Sequence, residues 1–169
     1  GPDSRSWIRF RNEAMLASNL AHPNIVRAFE FGSFGKELAF FSMEYVVGPS
    51  LRRRVAAKDM PKLSLYEMIS ILQQVASAVA YAHARGIIHR DIKSDNVIIA
   101  EGNLAKLTDF GLARLESDQD WLTQTREHPG TVAYMAPEQF EGRSADKRTD
   151  IYSFGIVAYE VAAGHPPFQ

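Results

Sequence analysis

The chain has 169 residues, 46% of them hydrophobic and 23% charged, with a formal net charge of −1 at pH 7. That composition is globular rather than disordered, and the near-zero charge gives no electrostatic basis for holding nucleic acid or an anionic membrane. Cysteine is absent, which excludes disulfides and thiolate metal sites and fits a cytoplasmic location, and neither a ~20-residue apolar span nor a signal-peptide pattern occurs.

Gly1-Pro2 has the form of a protease-cleavage scar, so the natural N-terminus is expected to lie elsewhere. Helix signals start near Ser6, with Ile8, Met15 and Leu16 on an apolar face, and stop at His22-Pro23, because proline pushes its predecessor out of the helical region. Strands are predicted over 25–31 and 38–45, joined by a turn containing Gly32, Ser33 and Gly35. Gly48-Pro49 ends the second strand. A short helix then carries Arg52-Arg53-Arg54, read as a solvated face, with a docking patch as the alternative.

Ser64 and Glu67 have the spacing of a capping box and open a long helix. Met68, Ile69, Leu72, Val75, Ala76, Val79 and His83 recur at three- and four-residue steps as one buried stripe, and Gly86 supplies a left-handed stop. Short apolar strands are predicted over 96–100 and 104–108, flanking the turn signal Gly102-Asn103. Residues 115–129 are polar and show little periodicity. The stretch 149–163 is apolar on nearly all sides and is predicted to be a buried central helix ended by Gly164. The chain has five scattered histidines and no cysteine to complete a zinc site with them, so none is expected.

The stretch richest in chemistry is His89-Arg90-Asp91-Ile92-Lys93-Ser94-Asp95-Asn96, followed thirteen residues after Asn96 by Asp109-Phe110-Gly111. Phosphoryl transfer needs a group to orient the attacking hydroxyl and take its proton, cations on the phosphate oxygens, and hard oxygen ligands for Mg²⁺. Asp91 fits the first role and Lys93 the second. Asn96 and Asp109 are candidate Mg²⁺ ligands. A bare Asp-Phe-Gly is a weak motif, but the loop and the tripeptide in this order and spacing are specific.

These motifs resemble the catalytic core of a protein kinase, and the chain from about residue 9 to 168 is most similar to the bacterial eukaryotic-like (Hanks-type) serine/threonine kinases. Phe10-Arg11-Asn12-Glu13-Ala14 resembles the family's αC helix motif, and His22-Pro23-Asn24-Ile25-Val26 the turn that follows it. Met43-Glu44-Tyr45-Val46 resembles the gatekeeper and hinge, Met135-Ala136-Pro137-Glu138 the Ala-Pro-Glu anchor, and Asp150-Ile151-Tyr152-Ser153-Phe154-Gly155 the start of the αF helix. Lys93, two residues after Asp91, and Gly130-Thr131 ahead of Tyr134 follow the serine/threonine pattern.

The resemblance implies an α+β fold: a mainly helical C-lobe core with a residual αC helix and a two-stranded N-lobe hairpin. The chain is then one domain over 1–169, with its N-lobe part at 7–46 and its C-lobe core at 47–169. The long helix is the family's αE, which presents the catalytic loop. By the same resemblance Asp91, Lys93, Asn96 and Asp109 are the catalytic residues, with Asn96 and Asp109 on the metal. Glu44, Val46, Ile98 and Lys93 hold the nucleotide; Ile98 as a plain core residue would look the same. Arg90 receives an activation-loop phosphate, and Thr123, Thr125 and Thr131 belong to that regulatory segment, a polar loop being the alternative for 115–129. His89 and Phe110 are packing residues. The implied cofactors are Mg²⁺ and ATP.

The family pattern also calls for a glycine-rich loop and a lysine ahead of Glu13. Only twelve residues precede Glu13, none is lysine, and the first lysine is Lys36; no G-x-G-x-x-G occurs. The family would continue past Phe168, with an arginine for Glu138. The reading is therefore a kinase core without both ends, binding nucleotide weakly and having little or no activity by itself, since losing one preorganised electrostatic group lowers kcat about 10²–10³-fold. The alternative is an active kinase whose missing segments come from a longer gene product or another chain. The hairpin phenylalanines Phe29, Phe31, Phe34, Phe40 and Phe41 predict a chain that pairs with itself. The protein substrate is not legible.

Overall fold

The computed structural model describes residues 19–34, 38–110 and 132–168. The expectations for the helix before His22, including Glu13, and for Thr123, Thr125 and Thr131 lie outside the described residues. Numbered in chain order, the elements are β1 (Ala28–Phe34), β2 (Leu38–Met43), α1 (Leu51–Ala56), α2 (Leu65–Ala84), β3 (Val97–Ala100), β4 (Leu104–Leu107), α3 (Pro137–Phe140) and α4 (Lys147–Ala163). Single 3-10 turns occupy Ser94–Asn96 and Glu101–Asn103. The strands form two antiparallel pairs, β1 with β2 and β3 with β4, so the expected α+β class holds.

The first strand begins three residues later than predicted. Residues 25 and 26 are spent on β4: Val26 N–H donates to the Leu107 carbonyl and Leu107 N–H to that of Asn24, both at 2.9 Å. β-Propensity reports an extended backbone but not its partner, so one apolar run was divided between two sheets. Phe29 and Phe40 of this hairpin are 59% and 46% exposed.

α2 starts with the predicted capping box, Glu67 N–H on Ser64 Oγ at 3.3 Å and Ser64 N–H on Glu67 Oε2 at 2.7 Å. The Ser64 bonds, with one from Asn103, pull the Glu67 carboxyl down to about 2. Its buried face is Ile71, Val75, Ala78, Val79 and Ala82. Ile69 and Ala76 of the predicted stripe are exposed instead, because α2 packs on β4 and on α4 and these two neighbours rotate the covered arc. Gly86 takes φ 75, the predicted left-handed stop.

The β3–β4 hairpin shows the period of two expected of a half-buried sheet: Val97, Ile99, Ala105 and Leu107 are buried, while Ile98 and Lys106 face away. Gln74 of α2 stitches the hairpin to the chain before β1, accepting from Asn24 Nδ2 and Ala105 N–H at 2.9 Å each and donating to the Asn103 carbonyl at 3.1 Å. Residues after β2 cross β3 so closely that a Cβ on Gly48 would meet the Ile99 carbonyl oxygen at 2.1 Å. Glycine is required there by space.

α4 corrects the expectation of a helix apolar on nearly all sides. Its buried face is Thr149, Asp150, Ser153, Ile156, Val157, Glu160 and Val161, whereas Ile151 and Tyr159 are 61% and 47% exposed. Asp146 caps its start, two residues before the predicted one, and Gly164 at φ 84 ends it. No helix among the described residues is long and apolar enough to cross a membrane.

His22 joins the segment before β1 to α2. Its Nδ1 accepts from Asn24 N–H at 3.1 Å, its Nε2 meets Ser77 Oγ at 3.2 Å, and its ring lies 4.9 Å from that of Tyr81. Burial, then the nearby Arg85 cation, hold its pKa below 6.5. Neutral His22 is thus favoured by folding, and its contribution is complete above pH 6.5 and lost as pH falls below that value. Urea titrations between pH 7.5 and 5 are expected to show declining stability, and His22→Gln a shallower decline over that window.

Candidate active site

The loop between α2 and β3 brings three of the predicted residues onto one carboxylate. Asp91 Oδ2 lies 2.7 Å from Lys93 Nζ and accepts from Asn96 Nδ2 at 3.1 Å. Asn96 Nδ2 also donates to the Asp91 carbonyl at 2.8 Å. Both amide donors are therefore engaged by Asp91, and the Asn96 oxygen is the atom left for a cation. Asp91 and Lys93 are 19% and 18% exposed, accessible but partly desolvated, which strengthens their pairing.

His89 and Phe110 take the packing roles expected of them. The His89 Nε2–H donates to the Thr108 carbonyl at 2.8 Å, its Nδ1 accepts from Asp91 N–H at 3.3 Å, and its ring lies 4.5 Å from that of Phe110. Thr108 N–H donates to the Asn96 carbonyl at 2.9 Å, which seats Asp109 beside the Asn96 turn. Asp109 has φ 64, a left-handed value that few non-glycine residues adopt and that clusters at functional sites. Mg²⁺ takes hard oxygen ligands, few of them from protein and the rest from phosphate and water. The Asn96 amide oxygen and the Asp109 carboxylate fit that chemistry.

A second group lies on the outward face of the β3–β4 hairpin. Glu44 receives Lys106 Nζ at 2.7 and 2.9 Å, and this bond holds its carboxyl below the usual carboxylate range. Lys106 pairs in register with Ile98, so Ile98 shares the face of this ion pair and not the core of Val97 and Ile99. Glu44 N–H is taken by the Arg27 carbonyl at 2.8 Å. Among the described residues no backbone partner meets the Glu44 carbonyl or the Val46 N–H, the two groups with which a hinge can hold a planar base.

The residue that sequence reasoning missed is Asp150, which was read only as part of a motif. Its Oδ2 accepts His89 N–H at 2.8 Å and approaches His83 Nε2 at 2.7 Å, while Oδ1 accepts Arg90 N–H at 2.8 Å. It is 1% exposed. Gln139 of α3 holds the next peptide, donating to the Arg90 carbonyl at 3.0 Å. Arg90 is thereby held at φ 71, a strained turn that directs Asp91 toward Lys93 and Asn96. The signal in the sequence was a lone acid in the first turn of an otherwise apolar segment, where a solvated helix start and a buried clamp look alike. Glu138 accepts from Thr149 Oγ1 at 2.6 Å, and that bond leads the causes lowering its carboxyl's pKa.

Replacing Asp150 with alanine strands two buried peptide N–H groups and the His83 donor. Losing one partner of a buried charge network costs about 3 kcal/mol or more. Urea denaturation should read that loss, and amide exchange at His89 and Arg90 should accelerate beyond the rest of the chain.

Comparison with known proteins agrees with this architecture. The protein kinase domain family model matches residues 2–169. The serine/threonine-protein kinase PknB of Mycobacterium leprae is 40% identical over 169 residues, covering 98% of this chain and 27% of that protein. PrkC of Bacillus subtilis is 41% identical over 167 residues, covering 99% of this chain and 25% of that protein. The chain thus spans about a quarter of the length of the curated relatives it matches. The crystal structure of the Mycobacterium tuberculosis PknI kinase domain superposes with a TM-score of 0.76 at 32% identity, covering 99% of this chain and 59% of that one. The motif resemblance and the kinase-like fold are borne out together: the chain belongs to the protein kinase family and is similar to bacterial serine/threonine members of it.

Proposed function

We propose that these residues carry out transfer of the ATP γ-phosphoryl group to a serine or threonine hydroxyl. The observation that carries this reading is the meeting of Lys93 and Asn96 on the single oxygen Asp91 Oδ2, within 3.1 Å. Asp91 orients the hydroxyl and takes its proton as the oxygen–phosphorus bond forms and the bond to the leaving ADP oxygen breaks. Lys93 turns from Asp91 to the transferring phosphate, offsetting its charge. Mg²⁺, held by Asn96 and Asp109, supplies the remaining charge neutralisation on the phosphate oxygens. The Glu44 carbonyl, the Val46 N–H and the Ile98 side chain hold the base. Phosphates on Thr123 and Thr125 pair with Arg90 and order the regulatory segment to which Thr131 also belongs. The cysteine-free composition supports a cytoplasmic setting.

For a polypeptide of these 169 residues alone the proposal is weak nucleotide binding and near-background transfer, because no lysine precedes Glu13 to hold the phosphates. Calorimetry with Mg·ATP is expected to give a Kd well above about 1 µM, the equivalent of some −8 kcal/mol. Radiolabelled ATP should label neither the chain nor a generic substrate above background. Robust labelling abolished by Asp91→Asn would overturn the inactive part and leave the chemistry standing. The second reading, an active kinase completed by further sequence, is favoured by the fourfold greater length of the relatives. Fusing the corresponding N-terminal segment of such a relative to this chain should then restore labelling that requires Asp91.

Self-pairing belongs to the same proposal. The β1–β2 hairpin presents Phe29 and Phe40 next to strand edges, which recruit another chain. Light scattering should show mass rising with concentration in the micromolar range; a concentration-independent monomer would remove this part.

A further inference from the structure

Ser94 directly follows Lys93 and is fully buried, at 0% exposure. Its hydroxyl lies 2.9 Å from Tyr134 Oη, and Tyr134 Oη donates to Glu160 Oε2 at 2.6 Å. Tyr134 and Glu160 are 2% and 3% exposed. A phenol has one proton, and this one is committed to Glu160, so the Ser94 hydroxyl donates to the phenol oxygen. Burial first, then the Glu160 bond, push the Tyr134 phenol upward and keep its proton on tyrosine. The outcome is a polarised chain from Ser94 to Tyr134 to Glu160, joining three separate segments in the buried interior.

The place of Ser94 gives this chain chemical meaning. Asn96 N–H donates to the Lys93 carbonyl at 3.0 Å, closing one 3-10 turn over Ser94–Asn96 with Lys93 at its cap. The phosphate-holding cation and the candidate metal ligand thus sit at the two ends of one turn, with the buried hydroxyl between them. We infer that Ser94 is a positioning residue, tying that turn through Tyr134 to the segment leading into α3 and through Glu160 to α4. The inference rests on the phosphotransfer reading and deepens it. Ser94 touches no substrate; it stops the turn from rotating, and a movement of residues 132–136 that withdraws the Tyr134 hydroxyl releases Lys93 and Asn96 together.

The test compares two probes on this chain, Mg·ADP and adenosine, titrated by NMR into the unsubstituted protein and its variants. Ser94→Ala and Tyr134→Phe are each expected to weaken Mg·ADP about three- to tenfold, the span of one lost hydrogen bond, with adenosine affinity unchanged. The double variant should be no worse than the weaker single one, since both break the same link. Glu160→Gln, which keeps a carbonyl acceptor for Tyr134, should retain most of the affinity that Glu160→Ala loses. Equal losses for both probes, or additive losses in the double variant, would make the hydroxyl chain an ordinary core contact and overturn the inference. If the unsubstituted chain binds Mg·ADP no better than adenosine and Asn96→Ala changes nothing, the phosphotransfer reading fails first. Intact Mg²⁺ dependence in Ser94→Ala sinks only the positioning role.

Discussion

The structure depends on one buried carboxylate. Asp150, inside the first turn of α4, accepts the two peptide N–H groups of His89 and Arg90 and meets the His83 ring. A desolvated carboxylate costs several kcal/mol unless its oxygens are engaged, and each Asp150 oxygen is engaged. Its place near a helix N-terminus adds favourable dipole interaction. The stabilisation is spent on a backbone shape that an isolated peptide would not adopt, with Arg90 in the left-handed region. That shape aims Asp91 at Lys93 and Asn96. The geometry of the Asp91 loop is thus anchored sixty residues away in sequence.

The same economy runs along the buried face of α4. Thr149 donates to Glu138, Ser153 to the Tyr134 carbonyl, and Glu160 accepts from Tyr134. A helix with an apolar stripe would bury area without direction, whereas these bonds prescribe which residue of the preceding segment lies over which turn. Among the described residues no buried side-chain polar atom lacks a partner. A half-satisfied network of this density would cost more than an apolar core. Its completeness explains how a short segment such as α3, of four residues, is held in place with little propensity of its own. Gln139 is anchored at both ends, accepting from Ala136 N–H and donating to the Arg90 carbonyl.

Local interactions were legible from the sequence because their causes lie within a few residues. The capping box of Ser64 and Glu67, the stops at Gly86 and Gly164, the turn between β3 and β4 and the loop motif from His89 to Asn96 all follow from spacing and residue type. So did the family, since the motifs are ordered sets of chemical groups. Tertiary packing alone decided the rest. Residues 25 and 26 joined β4 instead of β1 because an extended run does not encode its partner. Ile69 and Ala76 turned outward because two neighbours, not one, set the buried arc of α2. Asp150 and Glu160 became interior because their donors arrive from the loop at His89 and Arg90 and from Tyr134, far away in the chain. A charged residue on a helix reads as solvated until the partner that replaces water is known, and that partner is fixed only when the whole fold closes.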